Sequence, residues 1–207
     1  MLEGRRTQFV EELAQGGVTA SVATVEVNAS IDRLVYYAGW ADKYQQVFSS
    51  VNPVASSHFN FSINEPTGVV SILAPEQPAL LGLISLIAPA IVGGNSVIAL
   101  ASTTSPLVAV TLAEVLATSD LPGGVMNLLT GDRAELLESF ANHMDVNAVV
   151  YAGNDPAELK KLRELCALNV KRPVIDKRAD WFSDEAQSPY AILSTQEVKT
   201  TWHPIGT

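Results

Sequence analysis

Through its middle, the chain alternates short apolar runs with longer segments of helical pattern. Residues 69–73, 97–100, 126–129 and 148–151 are brief apolar runs, rich in Val, Ile and Leu. Between them lie helical stretches from Ala79, over 105–118, over 133–142 and over 156–168. Four near-continuously apolar strands separated by helices and short turns predict βαβ units and a parallel sheet covered on both faces. Right-handed crossovers then give an open, doubly wound α/β sheet of the Rossmann type. In such a sheet ligands bind beyond the carboxyl ends of the strands, here residues 74–77, 101–105, 130–133 and 152–155.

The flanks have different patterns. Residues 5–14 form a short amphipathic segment stopped by Gly16-Gly17, and residues 19–48 contain no glycine or proline except Gly39. Ile31, Leu34, Val35 and Ala38 recur at i, i+3, i+4 and i+7, which predicts one buried face of a long helix. Tyr37, Trp40 and Tyr44 form an aromatic stripe on an adjacent face, expected to be core. Asn52-Pro53 breaks that helix, and residues 56–63 alternate polar and apolar as a partly exposed strand does. After Pro173 the pattern decays, and residues 176–188 are polar and irregular. Residues 190–205 recover a strand-like alternation, with Val198, Thr200 and Trp202 on one side and Glu197, Lys199 and Thr201 on the other. A terminal strand must pair with something, because an open edge is a liability. The expected division is N-terminal helices over 1–50, a strand or linker over 51–64, the α/β domain over 65–176, and an irregular segment with a terminal strand over 177–207.

Composition narrows the function. Of 207 residues 47% are hydrophobic and 17% charged, enough apolar content to bury a sizeable core. Thirteen basic against 22 acidic residues leave a net charge of −9, which disfavours binding to nucleic acid or to an anionic membrane through a basic surface. The single cysteine excludes a disulfide framework within the chain and a cysteine-rich zinc site, and it fits a cytoplasmic location. His58, His143 and His203 lie too far apart for a local metal motif, so no metal is expected. The most apolar stretch, from Ala79 to Val92, contains Pro89 and stops at Gly93-Gly94, short of the ~20 residues a bilayer needs. It reads as a buried helix. No apolar segment follows Met1-Leu2-Glu3-Gly4-Arg5-Arg6, so this is not a secretory signal. A helix starting so abruptly leads us to expect a fragment of a longer protein.

The loops offer little independent chemistry. No G-x-G-x-x-G, Walker A or G-x-S-x-G sequence occurs. Thr130-Gly131-Asp132-Arg133 and Gly153-Asn154-Asp155-Pro156 lead into helices whose free N–H groups would suit a phosphate. In both, however, an aspartate stands where a helix cap belongs. Cys166 lies in an amphipathic helix and packs there as a small apolar residue, with no base placed beside it. His58 sits among serines on a strand and reads as a surface residue.

Several ordered motifs carry a resemblance. Glu65-Pro66-Thr67-Gly68-Val69-Val70, Ile87-Ala88-Pro89-Ala90, Gly94-Asn95-Ser96-Val97, Ser105-Pro106-Leu107 and Leu121-Pro122-Gly123-Gly124-Val125-Met126-Asn127 follow one another as in the aldehyde dehydrogenase superfamily. Tyr36-Tyr37-Ala38-Gly39-Trp40-Ala41 resembles the long helix ahead of that family's cofactor domain. Glu197-Val198-Lys199-Thr200-Thr201-Trp202 resembles its final strand, part of an arm that pairs across a subunit interface. The closest likeness is to the degenerate second domain of the double-domain (family 16) members. The resemblance implies residues 51–64 as part of the oligomerisation element, and Val198, Thr200 and Trp202 as oligomerisation positions. Their partner would be a second copy or a catalytic aldehyde dehydrogenase domain.

Against the family pattern the chemical positions have changed. The lysine and glutamate that hold the adenine ribose align with Leu100 and Thr103. The loop supplying the oxyanion-hole asparagine is shortened to Pro75-Glu76-Gln77-Pro78, leaving Gln77 at that place; one such donor contributes ~3–4 kcal/mol to transition-state stabilisation. The pyrophosphate-gripping glycines align with Gly153 and Glu158. In the run matched to Glu-Leu-Gly-Gly-Lys-x-Pro, Ala167 stands for the general base, Asn169 and Val170 for the glycines, and Lys171 and Pro173 persist. The catalytic domain with its nucleophilic cysteine is not in this chain, and such groups act as a unit. The resemblance therefore implies a non-catalytic module acting in dimerisation or scaffolding, with no cofactor expected. The alternatives are part of an NAD(P)-dependent aldehyde dehydrogenase whose catalytic half lies elsewhere in the full-length protein, and a small-ligand-binding regulatory domain.

Overall fold

The computed structural model describes residues 1–206. Its central feature is a five-stranded parallel sheet built from β3 (Val69–Leu73), β4 (Ser96–Leu100), β5 (Met126–Leu129), β6 (Ala148–Tyr151) and β7 (Arg172–Ile175), in the order β5-β4-β3-β6-β7. The crossovers are α4 (Ala79–Val92), α5 (Pro106–Ala117), α6 (Arg133–Asn142) and α7 (Pro156–Leu168). The order reverses at β3, so the sheet is doubly wound as the apolar runs predict. Alternate side chains of the strands feed two cores. Val70, Ile72, Val97 and Ala99 pack with α4, α5 and the N-terminal helices, while Leu73, Leu100, Val149 and Tyr151 pack with α6 and α7. α4 is buried from Ala79 through Ala90, which explains its uniformly apolar sequence. Among the described residues no helix is long and apolar enough to cross a membrane.

β7 is absent from the sequence reading, which stops at Pro173. It is an edge strand paired only with β6, and an edge tolerates a proline because no ladder donor is needed on the open side.

The N-terminal helices differ from expectation in length and in facing. After α1 (Arg6–Gln15), α2 spans Ala20–Ala38 and ends at Gly39, and α3 (Tyr44–Phe48) follows as a separate turn. The buried face of α2 is Ala23, Glu26, Val27, Ser30, Arg33 and Tyr37; Val35, placed in the core by its spacing, is 66% exposed, and Ala38 is exposed too. Ile31 and Leu34 pack at the rim of the core. Hydropathy misses this face because polar groups on it are paired internally. Glu26 Oε1 accepts the N–H groups of Leu80 (2.7 Å) and Leu81 (3.2 Å), capping the first turn of α4 from outside. Arg33 donates to Ser85 and to the carbonyls of Trp181 and Ala186, pinning the irregular segment onto α2 and α4. Of the aromatic stripe, Tyr37 and Tyr44 are core; Trp40 packs beside them, stacked on Phe48.

A second, antiparallel sheet of order β1-β2-β8 contains β1 (Ser50–Asn52), β2 (His58–Pro66) and β8 (Gln196–Pro204). Tyr190–Leu193 is a helical turn, α8, so the terminal strand begins later than its alternation implies. β8 pairs along its whole length with β2 of the same chain, from Pro66↔Gln196 to His58↔Pro204. Its other edge is open, and Val198 and Trp202 are 68% and 57% exposed, with Thr200 exposed between them.

Candidate functional site

The carboxyl ends of β3, β4, β6 and β7 bring four loops to one cleft. After β3, Pro75-Glu76-Gln77-Pro78 turns into α4. Gly82 lies on the first turn of that helix because a Cβ there would come within 2.3 Å of Pro75 Cγ. Glu76 reaches to the loop after β4. Its Oε2 accepts from the Thr103 N–H (2.8 Å), the Thr103 and Ser102 hydroxyls (3.0 Å each) and the Thr104 N–H (3.4 Å). Burial pushes the Glu76 carboxyl up, but these donors outweigh it and hold it below the usual carboxylate range. Gln77 donates to Thr104 Oγ1 at 3.1 Å.

Arg133, the first residue of α6, projects into the same cleft. It donates to the Ala74 carbonyl, lies 3.5 Å from Glu76 Oε1 and 3.9 Å from Glu158 Oε2, and rests over the Tyr151 ring at 6.0 Å. Tyr151 donates to Glu158 Oε2 at 2.8 Å, and burial together with that carboxylate pushes its phenol up to about 12. Gly153 follows at a point where a Cβ would lie 2.4 Å from the Tyr151 hydroxyl. At the start of α7, Asp155 accepts from the N–H groups of Ala157 (2.7 Å) and Glu158 (3.5 Å); Asp132 does the same for Ala134 (2.7 Å) and Glu135 (3.3 Å) at α6. Both caps are as the sequence predicts. Behind β7, Asp176 is held by Arg178 at 3.0 Å, whose guanidinium lies 5.0 Å from the Trp181 ring centre. Residues 75–77, Arg133, residues 152–154, Asp176, Arg178 and Trp181 line a polar cavity of about 200 Å³. A larger hollow of about 610 Å³ lies beside it, between the α1–α2 turn and residues 179–182. Its ionisable lining is Glu26, already engaged as the cap of α4, and Asp180.

The positions singled out in the sequence separate into three groups. Gln77 and Gly153 line the cleft, while Thr103 touches it through Glu76, and Glu158 through Tyr151 and Arg133. Leu100 is buried beneath it, pointing into the α6–α7 core. Ala167 is not there. α7 runs back from the carboxyl edge to the start of β7, so this next-to-last residue of the helix lies exposed at the amino edge of the sheet. Lys171 is buried beyond it, donating to the His143 carbonyl, and Pro173 lies in β7. The structure instead places Asp176 at the end of the last strand. Sequence reasoning included Arg133 within the 130–133 loop without giving its side chain a role, and missed Asp176 in the cleft and Tyr151 beneath it; the signal available was their position at or just after a strand's carboxyl end. Cys166 is buried, as expected of a packing residue, and burial pushes its thiol up despite the nearby Lys171 charge. His58 lies on β2 with its ring edge-on to Trp202. Among the described residues no group of three or more His, Cys, Asp or Glu side chains could hold a metal ion.

Chemically, the cleft holds carboxylates on its backbone donors and two guanidiniums: Arg133, on the Ala74 carbonyl and Glu76, and Arg178, on Asp176 with its Nη1 unpartnered. No nucleophile with an adjacent base occurs among its described groups.

Comparison with known proteins places this arrangement. The family model described as "Aldehyde dehydrogenase family" matches residues 1–176. Cytosolic aldehyde dehydrogenase 1 of Elephantulus edwardii is 31% identical over 168 residues, covering 81% of this chain and 33% of that protein. The cytosolic 10-formyltetrahydrofolate dehydrogenase of Xenopus laevis is 28% identical over 164 residues, 79% of this chain and 18% of that protein. The chain thus spans a third or less of the length of these relatives. Among solved structures, a lactaldehyde dehydrogenase superposes with a TM-score of 0.77 at 23% identity, covering 84% of this chain and 36% of that one. A betaine aldehyde dehydrogenase of Staphylococcus aureus in complex with NAD+ gives 0.78 at 24% identity, covering 84% and 34%. The structural likeness establishes the fold, and the family match over residues 1–176 establishes that this chain belongs to the aldehyde dehydrogenase family.

Proposed function

We propose that this chain is part of an NAD(P)-dependent aldehyde dehydrogenase whose catalytic half lies elsewhere in the full-length protein, and that its own task is to scaffold that half. Family membership supports the first clause. One observation carries the second: the backbone N–H groups best placed to meet a dinucleotide's phosphates are already taken by carboxylates. Asp155 occupies those of α7, Asp132 those of α6 and Glu76 those of residues 103 and 104. Glu158 adds a further negative charge where the family has a glycine, and Arg133 is drawn onto the protein's own carbonyl and carboxylates. A pyrophosphate placed here would face like charge at Glu76 and Glu158 and find the main-chain donors of both helix starts and of residues 103 and 104 taken, with Arg178 Nη1 left as the unpartnered side-chain donor, so these residues fit a dinucleotide poorly. Changed cleft residues on an unaltered frame also favour the likeness to the degenerate second domain of double-domain members. Docking, to a second copy or to the catalytic domain, would use the open edge of β8 and the exposed side chains of Val198, Thr200 and Trp202.

The test is kinetic. In the full-length protein Arg133→Ala leaves kcat/KM for NAD(P)+-dependent aldehyde oxidation within about twofold, and the 207-residue chain alone shows no turnover. A fall of about tenfold or more on Arg133→Ala would place this cleft in the reaction and overturn the scaffold reading.

A further inference from the structure

One wall of the hollow of about 610 Å³, residues 179–182, lies beyond the stretch 1–176 that matches the family. The opposite wall is the α1–α2 turn with Val18 and Val22, and the volume falls in the ~300–1,000 Å³ range of small-molecule sites. Val22 is 50% and Phe182 43% exposed, so both walls present uncovered apolar surface. Glu26 supplies the polar end. It is 1% exposed, and its Oε1 is taken by the Leu80 and Leu81 N–H groups. Among the described residues no donor reaches its Oε2. Unlike Glu12 Oε2, which is sealed and unpartnered, this oxygen keeps accessible surface, on the hollow that Glu26 lines. Asp180 adds a second carboxylate, which accepts the Phe182 N–H at 2.8 Å, and no Lys, Arg or His lines the hollow. A carboxylate oxygen this deeply set, with neither a donor nor a counter-charge, is an incomplete arrangement, because burying an unpaired charge is costly.

We propose that the hollow binds a small primary ammonium compound with an apolar body, the ammonium on Glu26 Oε2 and the body between Val22 and Phe182. The oxygen lacks a hydrogen-bond donor as well as a positive charge, so a primary ammonium, all of whose N–H groups donate, suits it better than a quaternary one. Asp180 strengthens the attraction for a cation and repels carboxylates and phosphates. This goes beyond the scaffold reading and is independent of it.

The 207-residue chain is titrated at pH 7 with hexylamine, hexan-1-ol and hexanoate at matched ionic strength, and the Val22 and Phe182 amide resonances are followed. Support is saturable movement of both with hexylamine, at least ~10-fold tighter than with hexan-1-ol, and none with hexanoate. Glu26→Gln removes the charge while keeping an acceptor for α4, and brings the affinity for the amine to within ~2-fold of that for the alcohol. Val22→Lys, at an exposed wall position away from the α4 cap, sets a cation in the hollow and weakens amine binding at least ~10-fold. It decides the matter alone if Glu26→Gln does not fold. Equal affinities for amine and alcohol in wild type, no saturable shift with any probe, or amine binding unchanged in a folded variant would overturn the proposal.

Discussion

Glu26 offers the sharpest test of how the frame is held. The residue is 1% exposed on α2, and its Oε1 accepts both the Leu80 and Leu81 N–H groups at the start of α4. α4 has no side-chain cap of its own, since Pro78 holds the N-cap position. Glu26→Ala leaves two buried donors unpaired, at about 1–3 kcal/mol each, so the expected loss is about 2–6 kcal/mol. Glu26→Gln keeps an acceptor oxygen for those N–H groups and discards a charge that burial disfavours, so its expected loss is smaller, under about 1 kcal/mol. Urea denaturation read as a shift in midpoint at constant slope separates the two. The pH dependence gives an independent check. Burial pushes the Glu26 carboxyl above its ordinary 4.5, and the two N–H donors only partly offset this. Between 4.5 and its folded value, the native protein therefore holds a proton that the unfolded chain has released. This stabilising contribution is complete below 4.5 and is lost as pH rises through the folded value. Glu26→Gln should flatten that fall. Equal losses for the Ala and Gln variants, or an unchanged pH profile in Glu26→Gln, would refute the capping role.

Three further outcomes follow from single positions. Gly82→Ala should lower stability by about 1–3 kcal/mol, where the same change in an open helix would add about 1, because the new Cβ would meet Pro75; a raised melting temperature would contradict this. Val170 is a β-branched residue at φ 55° with its side chain 95% exposed, so Val170→Gly relieves strain without losing packing. A net gain of about 0.5–1 kcal/mol is expected by urea titration, after allowing for the greater entropy of the unfolded chain, and a loss would show that the backbone there is unstrained. Cys166, 1% exposed and with its thiol pushed up by burial, should resist a thiol-labelling reagent in the native protein and react fully in denaturant; rapid native labelling would place it on the surface.

The doubly wound sheet was legible because four of its strands are apolar runs bounded by turn residues, and their limits agree with the structure to within a residue. β7 was not, because Arg172 and Pro173 at an open edge carry no hydrophobic signature. The facing of α2 was hidden for the opposite reason: Glu26 and Arg33 look like solvent residues, and only distant partners on α4 and in residues 181–186 make their burial tolerable. At the cleft the two helix caps were readable, since Asp132 and Asp155 act on their own chain neighbours. The link from Glu76 to residues 102–104, and the reach of Arg133 to Ala74, depend on strand order and could not be seen locally. Ala167 shows the limit of matching short motifs, because a resemblance in the run around Cys166 placed inside α7 a position that a strand end would have to supply.

Calorimetric titration of the chain with NAD+ and NADP+ probes the central claim most directly. A cleft whose phosphate donors are taken by Asp132, Asp155 and Glu76 predicts no saturable heat at millimolar cofactor. Saturation in the micromolar range would show that a dinucleotide displaces those carboxylates, and would contradict the account.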